Sequence, residues 1–148
     1  MRSRALGDIL SIARCCKLYR ARSLGDTELR PAQQMILSHV CRRPGLAQEE
    51  LISALYLDKT TVAHQLNKLE EQGYIRRQAP AEDGRCRRVY PTEKAGEVYP
   101  RIHEAFERFT EAILTGFSEE EAALLESLTE RLRANAVMLL SEEGGKAP

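Results

Sequence analysis

Apolar residues recur at three- and four-residue spacing along most of this chain, and the breaks in that rhythm divide it into elements. Leu6, Ile9, Leu10, Ile12, Ala13, Cys16 and Tyr19 form one stripe and predict a helix over residues 5–21, with Arg14, Lys17 and Arg20 on its other side. Residues 23–28 break the pattern. Pro31 suits the first turn of a second helix, residues 31–41, whose core face is Met35, Ile36 and Val40, with Leu37 beside them. Pro44-Gly45 stops it. A short third helix over residues 48–55 turns Leu51, Ile52 and Leu55 inward. Asp58 then caps a fourth helix that runs to about Gln72, where Gly73 supplies a left-handed stop.

After Gly73 the period changes to two. Tyr74-Ile75 opens a strand, Pro80 and Asp83-Gly84 mark a hairpin tip, and residues 85–90 return. Thr92 caps a helix of about 24 residues carrying Val98, Tyr99, Ile102, Ala105, Phe106, Phe109 and Ile113, with Gly116 at its end. Ser118 and Glu121 have capping-box spacing and start a last helix, on which Leu125, Leu128, Leu132 and Leu139 make a short coiled-coil-like seam. The order predicts a mainly α chain with a small β-hairpin wing, an α+β winged helix-turn-helix flanked by N- and C-terminal helices. Those flanking helices have apolar faces suited to dimerisation.

At 148 residues the chain supports one domain, or a small domain with dimerising extensions. No apolar run approaches the length of a membrane span, and the first residues do not read as a signal peptide, so a cytoplasmic protein without a membrane partner is expected. Net charge is zero but unevenly spread: residues 1–58 carry +3, residues 59–91 carry +3 and residues 92–148 carry −6. A neutral total therefore hides a basic working surface, and the local field is what a phosphate meets. Cys15, Cys16, Cys41 and Cys86 show no Cys-x-x-Cys pair and no zinc-finger histidines. Three scattered histidines, with no glycine-rich loop or nucleophile pattern, give no enzyme reading. No catalytic residue, cofactor or metal is assigned.

On a helical wheel of residues 58–72, Val62, Leu66 and Leu69 share the core face. The opposite face shows Thr60, His64, Asn67 and Lys68, with Thr61 at its edge: hydroxyls, an amide and a cation of the kind that meets base edges in a major groove. Thr60 and Thr61 sit at the helix N-terminus, where free backbone N–H groups and the positive dipole end suit a phosphate. Arg76, Arg77, Arg85, Arg87 and Arg88 crowd the hairpin; a tip arginine fits the electronegative minor groove, and Asp83 is placed to orient Arg85. A solvated, aggregation-resistant edge is the plain alternative for such a hairpin.

Gln48-Glu-Glu-Leu51, Leu57-Asp-Lys-Thr-Thr-Val62, Leu66-x-x-Leu69-Glu-x-x-Gly73-Tyr-Ile75-x-Arg77, Asp83-x-Arg85 and Thr92-Glu-Lys-Ala-Gly96, in this order and spacing, resemble the MarR family of bacterial and archaeal transcriptional regulators. The resemblance implies a homodimer in which residues 1–30 and 97–148 form dimerisation helices and residues 31–96 form a DNA-binding lobe on a pseudo-palindromic operator. It implies repression relieved by a small ligand or an oxidant. Thr61 and His64 fall where the family reads bases, Lys68 where it often carries a cation and Arg85 where the wing arginine enters the minor groove. Gln48, Thr60, Asn67, Arg77 and Arg87 complete the expected DNA surface. His64 departs from the more frequent arginine and makes pH-sensitive binding an expectation. Ala47 and Arg30 stand where capping hydroxyls are usual, each weakening a cap by ~1 kcal/mol.

By the same resemblance an effector lodges between the dimer helices and the DNA lobe, with Tyr19, Met35, His39 and Tyr56 as lining candidates. Some branches sense peroxide through an N-terminal cysteine. Cys15, at the polar edge of the first helix between Arg14 and Lys17, is the candidate thiol, although Arg30-Pro-Ala-Gln-Gln lacks the tyrosines those sensors use. Two alternatives stay open from the residues: a cysteine-based redox-sensing regulator, and a winged-helix protein-interaction module that does not read DNA.

Overall fold

The computed structural model describes residues 4–79 and 87–142. Its elements are α1 (Arg4–Ser23), α2 (Pro31–Arg42), β1 (Leu46–Ala47), α3 (Gln48–Leu55), α4 (Lys59–Glu71), β2 (Ile75–Gln78), β3 (Arg88–Pro91), α5 (Glu93–Ile113) and α6 (Glu119–Glu142). The mainly α winged helix-turn-helix expected from the pattern is present, with one correction. The wing is part of a three-stranded antiparallel sheet of order β1-β3-β2 rather than a lone hairpin. Leu46 pairs with Val89 and Arg77 with Val89 from the other side, so β3 is the central strand. The Gly45 N–H extends the ladder to Val89 O at 2.8 Å, at a left-handed φ of 88°.

The core gathers Ile36, Leu37 and Val40 of α2, Leu51 and Ile52 of α3, and Val62, Leu66 and Leu69 of α4. Tyr74, Ile75 and Val89 close it from the sheet, and Ala95, Val98, Ile102 and Ala105 from α5. Leu37 is fully buried, while Met35 is only half-buried at the edge of α2, so the core face of that helix is turned by one residue from the expected one. Two glutamines are buried with it. Gln33 accepts from the Arg30 N–H at 2.9 Å and donates to Gln72 Oε1 at 3.0 Å, and Gln34 donates to Leu29 O at 3.0 Å. Gln33 is bonded through both ends of its amide, as burial requires, whereas Gln34 Oε1 has no partner among the described residues.

Arg30 and Ala47 offer no oxygen to their helices. The return half of each box still forms: Gln33 accepts the Arg30 N–H, and Glu50 accepts the Ala47 N–H at 2.7 Å. At α6 both halves form, Ser118 N to Glu121 at 2.8 Å and Glu121 N to Ser118 Oγ at 3.2 Å. Two cross-links tie the α1–α2 linker to α5: Arg101 to Asp26 at 2.7 Å and Lys94 to Glu28 at 2.8 Å. They hold the Asp26 and Glu28 carboxyls below their ordinary range. Among the described residues no helix is long and apolar enough to cross a membrane.

Candidate nucleic-acid interface

The helix-turn-helix turns on Tyr56. It ends α3 in the left-handed conformation, φ 50°, the only described non-glycine residue to do so. The chain then reaches Asp58 in extended geometry, and its carboxylate accepts from Thr61 N at 2.8 Å and from Thr61 Oγ1 at 2.5 Å. Those Thr61 hydrogen bonds keep the Asp58 carboxyl below its ordinary range. One expectation changes here: the Thr61 N–H is not free for a phosphate, because Asp58 holds it, and the Thr61 hydroxyl proton is spent on the same carboxylate.

The other end of α4 is held as firmly. Tyr74 N donates to Leu69 O at 2.9 Å and Gly73 takes φ 79°, a left-handed stop as the sequence predicts. Lys94 Nζ donates to Gln72 O at 2.7 Å and lies 4.3 Å from the Tyr74 ring centre, placing a cation at the negative end of the helix dipole. Gln33 reaches Gln72 from α2. Between these ends Val62, Leu66 and Leu69 are fully buried, and Thr60, His64, Asn67 and Lys68 are exposed, with Thr61 half-buried. Gln48, at the start of α3, is half-buried.

The arginines divide by role. Arg76 stacks over Tyr90 at 4.8 Å, and Arg88 donates to Gly45 O at 3.0 Å and pairs with Glu50 at 3.5 Å. Arg77 turns inward: its side chain is 16% exposed, its Nε lies 3.4 Å from Glu70 Oε2, and its guanidinium donates to Asn67 Oδ1. Arg87 is exposed. Asp83, Arg85 and Cys86 lie outside the described residues.

A crevice of about 280 Å³ between α2 and α5 brings Met35 and His39 together with Arg20, Arg42, Tyr99, His103 and Phe106. His39 Nδ1 lies 3.1 Å from Met35 O. Tyr19 and Tyr56 do not line it, against expectation. Tyr19 stacks on Phe109 with ring centres 5.6 Å apart, and Tyr56 serves the turn after α3. Tyr99 and Phe106 belong to the apolar stripe of α5, and nothing local in the sequence marks them as crevice residues. Burial draws the Arg20 guanidinium below its ordinary value, and its Nε has no partner among the described residues. Cys15 is exposed, Cys16 half-buried, and burial raises the Cys41 thiol to about 11. Among the described residues no group of three or more His, Cys, Asp or Glu is placed to hold a metal.

A short capped helix presenting polar groups beside an arginine-rich hairpin defines a winged helix-turn-helix of the kind found in transcriptional regulators. Residues 28–85 match the model of the MarR family. A Bacillus subtilis HTH-type transcriptional regulator, YybA, is 33% identical over 130 residues, covering 88% of this chain and 87% of that protein. The solved structure of the transcriptional regulator SlyA superposes with a TM-score of 0.87 at 34% identity, covering 90% of this chain and 94% of the other. A Listeria monocytogenes MarR family regulator complexed with 26mer DNA gives a TM-score of 0.87 at 28% identity over 97% of each chain. The chain belongs to the MarR family of transcriptional regulators.

Proposed function

We propose that two copies of this chain bind a pseudo-palindromic duplex, each laying α4 in the major groove and its wing against the neighbouring minor groove, and thereby repress transcription. The observation that carries this reading is the exposed polar face of α4, on a helix fixed at both ends. Thr60, His64, Asn67 and Lys68 are the base- and phosphate-facing groups, with Thr61 contributing the lone pairs of its hydroxyl. Gln48 and Arg87 flank them, and Arg85 is the minor-groove arginine. Arg77 belongs to the same surface through Asn67 rather than by direct contact. The relative complexed with 26mer DNA supports the partner class.

Dimerisation is supported by what α1 and α6 leave uncovered. Among the described residues of these helices, 20 and 24 residues long, none is fully buried within its own chain. Leu6, Leu10, Leu125, Leu128 and Leu132 are each at least 40% exposed on them. An apolar face this long calls for a partner, and a second copy supplies one with two-fold symmetry. Residues 1–30 and 97–148 are thus read as the dimer, residues 31–96 as the DNA lobe, and half-sites fall about one helical turn apart. The crevice between α2 and α5 is read as the effector site; two arginines outnumber the one carboxylate, Glu107, and with two histidines and two aromatic rings they fit a small aromatic anion. Cys15, exposed on α1, supports an oxidant as the alternative release signal.

A gel shift over the intergenic DNA beside the gene, combined with sedimentation of the free protein, tests the reading. A two-chain species binding one DNA segment in preference to bulk competitor supports it. A monomer, or binding indifferent to sequence, refutes it.

A further inference from the structure

The contact between Arg77 and Asn67 has a chemical direction. Arginine carries five N–H donors and no acceptor, so the atom of Asn67 facing it must be the carbonyl oxygen. A free asparagine turns its amide over and offers either end to a base. This one is held, because Arg77 is itself held: Glu70 Oε2 lies 3.4 Å from Arg77 Nε and Glu70 Oε1 accepts the Arg77 backbone N–H at 3.2 Å. Glu70 follows Asn67 by three residues on α4 and Arg77 stands on β2, so the lock spans the recognition helix and the wing strand. With Oδ1 fixed, the Nδ2 end of Asn67 has no hydrogen-bond partner among the described residues and lies on the exposed face that also carries Thr60 and His64.

We propose that Arg77 is a positioning residue that locks Asn67 as a hydrogen-bond donor, making Asn67 a specificity determinant that selects a base edge with an acceptor and rejects cytosine. In the major groove guanine N7 and O6, adenine N7 and thymine O4 accept, whereas cytosine offers only its N4 amino donor. The inference rests on the reading that α4 enters the major groove, and it goes further by giving the two residues separate tasks.

The test is selection of bound duplexes from a pool randomised across the half-site, run in parallel for the full-length protein, Asn67→Asp and Arg77→Met, with melting curves as the check on folding. Aspartate keeps one oxygen for Arg77 and turns the free end into an acceptor. At one position per half-site, preference moves to cytosine by about three- to tenfold, the worth of one exchanged hydrogen bond. Arg77→Met lets the amide turn over, so preference flattens at that same position and persists elsewhere. If Asn67→Asp keeps the unaltered protein's preference at every position, the lock is refuted while DNA reading stands. If the unaltered protein enriches no sequence, both fall together. Asn67 is exposed, so its variant remains decisive even where Arg77→Met fails to fold.

Discussion

Replacing Leu66 with alanine probes the orientation on which the whole interface depends. Leu66 is 0% exposed in the middle of α4, between Val62 and Leu69 and against the core. Truncation removes buried methyl groups and leaves a cavity that α2 and α3 fill only in part, at a cost of about 2–5 kcal/mol. Set against a typical domain stability of about 5–15 kcal/mol, that is a large fraction. For a chain of this length it lowers the melting midpoint by roughly 5–15 °C. His64 lies two residues earlier, about 200° round the helix, and is exposed. His64→Ala therefore stays within about 0.5 kcal/mol of the unaltered protein while changing preference among bases. Urea unfolding at one fixed protein concentration reads both, since any dimer makes the midpoint concentration-dependent. A Leu66→Ala cost below about 1 kcal/mol, or a His64→Ala cost exceeding it, would mean that α4 turns a different face to the core.

Gln33→Leu leaves Gln72 Oε1 and the Arg30 N–H without their partner and costs about 1–3 kcal/mol by urea unfolding; a neutral result would show that water replaces the glutamine without loss. Asp26, Glu28 and Asp58 titrate below their ordinary range in the folded chain, so their stabilisation is complete above the unfolded carboxylate values near pH ~4 and is lost as pH falls through the lower folded ones. Melting curves from neutral to strongly acid pH should show a fall that Asp58→Asn reduces, and an unchanged acid limb would contradict the cap assignment. Cys41, half-buried with its thiol raised to about 11, reacts slowly with a disulfide reagent at pH ~8, so Cys41→Ser leaves the fast-reacting thiol count unchanged. A lost fast thiol would place Cys41 at the surface.

The helix-turn-helix was legible because its signals are local. Asp58 and Gly73 punctuate α4 at both ends, and Val62, Leu66 and Leu69 fix its rotation by spacing alone. β1 escaped because two residues are too few to show alternation; Leu46-Ala47 becomes a strand only through Val89 across the sheet. Tyr56 carries no mark of a left-handed residue, since glycine or asparagine is the usual occupant. Nothing in the sequence marks Gln33 as buried, because polarity does not reveal a partner 39 positions away. Arg77 was indistinguishable from the other wing arginines, for its inward turn depends on Glu70 and Asn67 arriving from a different element. The crevice is tertiary in the same sense: Tyr99, His103 and Phe106 meet Met35 and His39 of α2 only when α5 packs across α2.

The direct measurement of the interface is operator affinity, followed by fluorescence anisotropy across a salt series, for the unaltered protein and Arg85→Ala. The prediction is steep weakening with salt, saturation at two chains per duplex, and a variant that binds every sequence more weakly with a salt slope reduced by about one. Binding that is insensitive to salt, or an Arg85→Ala protein with unchanged affinity and slope, would contradict the winged grip on DNA.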